Sequence, residues 1–360
     1  MPSSSVSAWW WVGSSETAPG DGLSRRDLLK KAGLGGAVLL GGSVLGHTIQ
    51  HSAQAAAATE AGYPGAGGVA HDPVDPATAF YGGMYSPPSG MSPGDLDSLT
   101  FPPPRDGLPP GSVRDIEITV EERLIEVGAG VFVEAWTYNG SVPAPIIRVT
   151  EGDLLRIRLE NRTGNPHNIH FHGSHRPEHD GWEPIPPGGA VGYEIEASPA
   201  GVHPYHCHTT PLAEHIGRGL YGMMIVDPPG RRVGAAEVAL VLSGFSSDVI
   251  GRNGIVAWNG VAGFYHSFPI KVPAGEPVRL YVVNMLEHEP LASFHLHAET
   301  FDVYPAGMGK RPAFREDTIV LGMGQRAMIE FRLPSLGRYM FHPHQHWLAE
   351  RGAMGWFAAV

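Results

Sequence analysis

The chain has a single cysteine, Cys207, among 360 residues. That excludes an intramolecular disulfide framework and any zinc or iron–sulfur cage built on cysteine alone. Positive charge is scarce too. Against 36 Asp and Glu stand 25 Lys and Arg, a formal net charge of -11, so the basic footprint of a nucleic-acid binder is missing. Charged residues make up only 17% and hydrophobic ones 42%, which excludes a disordered polyampholyte and leaves material for a core. The apolar stretch Ala32–Gly46 spans 15 residues, six of them glycine. It falls short of the roughly 20 residues that a membrane-spanning helix needs. Gly 48 and Pro 33 favour turn-rich β structure over helical bundles. Histidine is the residue in excess: there are 19, most of them clustered, which makes metal chemistry the first thing to test.

The N-terminus reads as an address. Ser24-Arg25-Arg26-Asp27-Leu28-Leu29-Lys30 precedes the weakly apolar run, and Ala53-Gln54-Ala55 puts small residues where a signal peptidase cuts. This is the layout of a twin-arginine export signal over residues 1–55, which predicts a periplasmic or extracellular mature protein without a membrane span. Residues 56–112 are rich in Gly, Pro, Ser and Ala, with Pro102-Pro103-Pro104 and Pro109-Pro110, and read as an irregular arm packed along the surface.

From Ile116 onward, short alternating stretches such as Leu154–Leu159 are broken by turn residues every ten or so positions, the pattern of β-sandwiches. Two halves repeat one another. Asn139-Gly140 recurs as Asn259-Gly260, Gly152-Asp153 as Gly275-Glu276, and Asn161 as Asn284. His170-Phe171-His172 recurs as His295-Leu296-His297, and His206-Cys207-His208 as His342-Pro343-His344. The spacings are 120, 123, 123, 125 and 136 residues, drifting upward as loop insertions would make them. With a break near Pro228-Pro229-Gly230, the expected domains are 113–230 and 231–360, both all-β sandwiches.

Strand parity sorts the histidines. Residues i and i+2 share a face. His170/His172, His206/His208, His295/His297 and His342/His344 therefore form four pairs, two per domain, able to converge on a metal cluster. Cys207 lies between His206 and His208 and points the other way, as His167 does if its strand is regular. With His215, eight residues on across an expected loop, they make one thiolate and two imidazoles, the trigonal set of a blue-copper centre. Leu220 stands at the expected axial position, with Met223 further on. The second domain lacks this set: Ala292 stands for His167, Pro343 for Cys207, and the stretch around Arg351 holds no histidine to match His215.

These motifs resemble a two-domain multicopper oxidase, the small laccase-like group with its blue copper in the first of two cupredoxin domains of Greek-key topology. The resemblance covers residues 113–360. It implies four copper ions per chain. Cys207, His167 and His215 would bind type 1 copper. His170 and His295 would bind type 2. His172, His206, His208, His297, His342 and His344 would bind the type 3 pair. Asp180-Gly181, followed by Ile185-Pro186-Pro187-Gly188, resembles a family segment whose aspartate delivers protons to oxygen. Cys207, His206, His208 and Asp180 are thus the catalytic candidates. The implied activity couples one-electron oxidation of phenols or aromatic amines to reduction of O2 to water, in a homotrimer with shared clusters. Alternatives are a copper nitrite reductase, although that family carries aspartate where His170 stands and lacks the pairing at His208, and a cuprous oxidase.

Overall fold

A computed structural model describes residues 86–173, 175–230, 232–246 and 253–360. The twin-arginine segment and residues 56–85 of the arm lie outside the described residues. In the segment Leu154–Asn161, Leu155, Ile157 and Leu159 are buried while Arg156 and Arg158 are exposed, so one face meets a core and the other meets water. It is the fourth of eight strands in the first domain: β1 (Val113–Gly128), β2 (Val131–Tyr138), β3 (Ile147–Thr150), β4 (Leu154–Asn161), β5 (His170–Phe171), β6 (Ala190–Glu196), β7 (Gly201–His206) and β8 (Tyr221–Asp227). They form two sheets, ordered β2-β1-β4-β6 and β3-β8-β7-β5. The pairs β1–β4 and β3–β8 run parallel, which marks Greek-key crossovers in an otherwise antiparallel sandwich.

The second domain repeats the plan with β9 (Ala236–Ser246), β10 (Asn253–Trp258), β11 (Ile270–Val272), β12 (Pro277–Asn284), β13 (Leu291–Leu296), β14 (Phe301–Pro305), β15 (Phe314–Glu316), β16 (Thr318–Gly322), β17 (Arg326–Arg332), β18 (Gly337–His342) and β19 (Gly355–Ala359). Its sheets are β10-β9-β12-β17-β14-β15 and β11-β19-β18-β13-β16, again with parallel pairs β9–β12 and β11–β19. Among the described residues, β14 and β15 have no counterpart in the first domain, where β16 is reduced to the single bridge between His167 and Ile185. They fall where the repeat spacing steps from 125 to 136 residues. The first domain uses the matching interval for the irregular loop that carries Asp180.

The repeated asparagines do the same work twice. Asn139 and Asn259 both take a left-handed conformation, φ 54° and 51°. Their Oδ1 atoms accept the backbone N–H of Thr119 and Val241 respectively. Asn161 and Asn284 each tie a strand end to the opposite sheet, donating to Ile185 O and Leu321 O.

Each sandwich has its own core, one around Leu155, Ile157 and Phe171, the other around Trp258, Phe294 and Phe341. A third apolar cluster, including Val202, Ile216, Tyr221, Val241, Tyr281 and Met328, lies between the domains. At the junction Arg148, 5% exposed, bridges Asp227 at 2.7 Å and Glu237 at 2.8 Å and also donates to Pro103 O. These partners hold its guanidinium pKa above the ordinary arginine value despite burial.

Four short α-helices occur among the described residues, α1 (Asp97–Thr100), α2 (Leu212–Gly217), α3 (Phe264–Ser267) and α4 (His346–Glu350), with one 3-10 turn at Pro177–His179. None is long and apolar enough to cross a membrane. Helix α1 lies in the arm, which is less irregular than its composition predicts. Leu96 and Leu99 are buried in the core of the second domain. Asn259 fastens this contact. Fully buried, it donates to Leu99 O, Ala239 O and the Tyr265 hydroxyl. Asn259→Ala should lower unfolding stability by about 3 kcal/mol, since several buried polar groups lose their partner. Urea titration of the variant checks this; a change within error would show that the arm is not fastened here.

Candidate metal centre

Strand β7 ends at His206, which pairs with His170 of β5. The next residue, Cys207, donates its N–H to Leu220 O and turns its side chain into the core, where it is fully buried. Its Sγ lies 3.2 Å from Nδ1 of His215, and that Nδ1 lies 3.1 Å from Nδ1 of His167. The three donor atoms fall within 4.8 Å of one another. His167 is held by a bridge to Ile185 just before β5. His215 sits on α2 rather than in the expected loop, and the short helical turn carries it back under Trp136. The Trp136 ring packs on both imidazoles, 4.7 Å from His167 and 4.8 Å from His215 between centroids.

This donor set fits a copper ion by its own chemistry. Burial holds His167 at about 4, lowers His215, and pushes the Cys207 thiol up. The rings are therefore neutral lone-pair donors, and a cation is what would draw the thiol into its thiolate form. Leu220 belongs to the same core cluster as Cys207 and its N–H donates to His215 O, so it adjoins this group. Met223 instead lies opposite Pro204 on β7, in the cluster between the domains.

A second group gathers on the other side of the strands: His170, His172 and His206. His170 Nδ1 donates to Asp180 Oδ1 at 2.6 Å, and His206 Nδ1 donates to Cys207 O at 2.9 Å. A carboxylate and a carbonyl only accept, so both rings carry a proton on Nδ1, which leaves Nε2 as the nitrogen available to a metal. His172 Nε2 is 3.0 Å from His206 Nε2. His208 flanks this group, its ring 5.7 Å from that of His170.

The second domain builds a matching group from His295, His297 and His342. His295 Nδ1 donates to Thr318 Oγ1 and Asp317 O, and His342 Nδ1 donates to Pro343 O. His297 Nε2 and His342 Nε2 stand 3.0 Å apart, with the His344 ring 5.2 Å from that of His295. Desolvation brings His172 down to about 3 and His206 and His342 to about 4, and it lowers His297. The first three rings thus remain unprotonated above about pH 4, the form that binds a metal.

Among the described residues no such group draws on both domains. From the second domain, the turn before β17 comes close to His172: a Cβ built on Gly324 would lie 3.6 Å from His172 Cε1, and the Arg326 charge acts on the same ring. His208, His297 and His344 are exposed.

Two supporting residues, Asn168 and Ser293, escaped the sequence reading. Asn168 accepts the His208 N–H at 2.7 Å and the Cys207 thiol at 3.4 Å, touching both groups. In the second domain Ser293 accepts the His344 N–H at the same distance. His175 Nε2 is 3.4 Å from Asp180 Oδ1, and His346 stacks on His344 at 5.5 Å. Only the position of Asn168 and Ser293, two residues before a paired histidine, could have signalled them.

The second domain has no counterpart of the Cys207 group. Leu220 N–H donates to His215 O as Ala353 N–H donates to Leu348 O, so the residue matching His215 is Leu348; Arg351 instead matches Arg218. Ala292, Leu348, Ala353 and Val256 fill that space as fully buried apolar residues beside Pro343.

Comparison with known proteins gives consistent relatives. Family models described as multicopper oxidase match residues 119–231 and 242–360. A solved structure described as a multicopper oxidase is 39% identical, with a TM-score of 0.71, covering 75% of this chain and 98% of that one. A copper nitrite reductase from Nitrosomonas europaea is 28% identical, TM-score 0.65, over 69% of this chain and 94% of that one. Among curated proteins, a copper-containing nitrite reductase of Neisseria meningitidis is 29% identical over 74% of this chain and 75% of its own length. The multicopper oxidase MmcO of Mycobacterium tuberculosis is 35% identical over 31% of this chain and 22% of its own length.

Proposed function

From a chain that belongs to the multicopper oxidase family, as a two-domain member with cupredoxin folds, we propose an oxygen-reducing, laccase-like enzyme. The observation that carries this reading is the pair of matching imidazole groups, one per domain, beside a single thiolate set. Cys207, His167 and His215 would hold type 1 copper, with Leu220 adjoining them and offering no ligand atom. His170 and His295 would hold type 2 copper; His172, His206, His208, His297, His342 and His344 would hold the type 3 pair. Copper bound in these places supplies one-electron uptake from a phenol or aromatic amine and four-electron reduction of O2 to water.

The protein's own residues prepare that chemistry. Cys207 is joined by backbone alone to His206 and His208, so the thiolate set and the paired imidazoles share one short stretch of chain. Asn168, bonded to Cys207 and His208 together, fixes the two sides relative to each other. Asp180 accepts from His170 Nδ1, which aims the opposite nitrogen outward, and its carboxylate is placed to hold a proton beside the cluster. His175 stands at its open side. An apolar neighbour such as Leu220, offering no ligand atom, favours the reduced metal and a high potential.

Nitrite reduction is the competing reading, favoured by the similarity to nitrite reductases over about three quarters of the chain. The donor count separates the two. The purified, fully loaded protein should carry about four copper ions per chain, with an intense visible thiolate band and a type 3 pair silent in electron paramagnetic resonance. Metal analysis giving one or two per chain would overturn the oxidase reading in favour of the nitrite one. For location, the proposal remains export by the twin-arginine route to the periplasm or beyond.

A further inference from the structure

Beside His215 the surface opens into a cavity of about 650 Å³. Trp136 and His215 lie at its base, and the β1–β2 hairpin forms one wall. The hairpin register sets Glu122 opposite Trp136 and Leu124 opposite Glu134. Positions two apart share a face, so Glu122, Leu124, Glu134 and Trp136 form a checkerboard of carboxylate and apolar groups.

The charges lining the cavity are Glu122, Glu134, Glu214, Arg123 and Arg218. Both arginines have partners: Arg123 meets Glu121 at 2.6 Å, and Arg218 meets Glu214 at 3.3 Å. No described group pairs with the carboxylates of Glu122 and Glu134. A second observation concerns the indole. The Arg218 guanidinium carbon lies 4.6 Å from the Trp136 ring centroid, so a planar, delocalised cation already rests on this ring at cation–π distance.

Resting on the reading that the reductant meets the protein beside His215, we propose that this cavity selects planar aromatic cations, protonated or quaternary aromatic amines, over neutral phenols and aromatic anions. The two unpaired carboxylates supply the counter-charge, and Leu124 and Trp136 supply apolar walls for a ring. A bare metal ion fits less well. Glu122 and Glu134 are diagonal neighbours across the strand pair, with backbones roughly 7–8 Å apart, a span suited to an organic cation rather than to joint chelation. An anion would meet both carboxylates on a chain whose net charge is -11.

The test uses the copper-loaded protein and probes that it cannot oxidise, so the result is independent of oxidase activity. Calorimetric titration should give phenyltrimethylammonium as the tightest ligand, benzyl alcohol next and benzenesulfonate weakest. In the Glu122→Gln/Glu134→Gln variant, phenyltrimethylammonium should bind about fivefold more weakly, the size of one exposed ion pair. Benzenesulfonate should bind more tightly and benzyl alcohol unchanged. The KM for N,N-dimethyl-p-phenylenediamine should rise in the same variant. Equal binding of the three probes overturns the proposal, as does a variant with unaltered preference. Manganese(II) binding at these carboxylates in place of the organic cation also overturns it. If the charge preference holds but no dioxygen is consumed, the oxidase reading fails and the cavity assignment stands.

Discussion

Replacing Cys207 by serine should remove the visible thiolate absorption and essentially all oxidase activity, while the paired-histidine cluster still loads. Two features set the size of the effect. The thiol is the one soft anionic donor in the chain, and serine supplies a hard hydroxyl that stays protonated in a buried site. Cys207 also turns away from the histidines on either side of it. Its Sγ groups with His167 and His215, while His206 groups with His170 and His172. Serine is close in volume, so the core around Leu220 and Phe171 should keep its packing. Copper analysis of the variant should therefore fall by about one ion per chain relative to the parent. A variant empty of all copper would mean that the two groups are not separable, and the division by strand face would have to be abandoned.

The second large effect concerns how the two histidine sets could be joined. One domain presents His170, His172, His206 and His208, the other His295, His297, His342 and His344, and no described group joins the two sets. Within the chain His172 is met by the turn at Gly324 rather than by a second-domain histidine. Exposure of His208, His297 and His344 leaves ligand groups facing outward from each domain. We propose a homotrimer in which each first domain closes on the second domain of its neighbour, a heterologous contact that forms a ring. A variant lacking His170 and His172 and another lacking His295 and His297 should each be inactive. After subunit exchange at equal amounts, about a quarter of the boundaries join an intact first domain to an intact second domain. Activity should return toward that fraction of the parent value. No recovery after verified exchange, or full activity in a monomer by light scattering, would refute the shared site.

Much of this arrangement is legible from spacing. The His-x-His pairs and their repetition mark the strands that carry ligands, because parity on a strand needs no tertiary information. The plan of two β-sandwiches follows from the same repeat, down to the paired asparagines at positions 139 and 259, and the resemblance to two-domain multicopper oxidases adds the cupredoxin topology. Contacts that depend on chain reversals are not visible this way. The helix under His215 is six residues long and carries no periodic signal. The match of Leu348, rather than the Arg351 region, to His215 appears only from backbone hydrogen bonds, since the loops before it differ in length. Trp136 is far from the histidines in sequence and reaches them only because β2 ends beside α2. The arm's burial of Leu96 and Leu99 was hidden by a composition that reads as linker.

The apolar filling of the second domain has a thermodynamic side. Where the first domain sets a thiol and two imidazoles, the second closes the same space with Ala292, Leu348 and Ala353, each fully buried. Side chains of that kind stabilise a fold at every metal concentration. Donors that bind an ion in the native state alone add stability only as the ion is supplied, by about 4 kcal/mol at a thousandfold excess over the dissociation constant. The second domain can therefore reach its final rigidity in this region before any copper arrives, whereas the first gains part of its resistance to unfolding at loading. At this one position the second sandwich is set in advance, whereas the first is completed only when the metal is delivered.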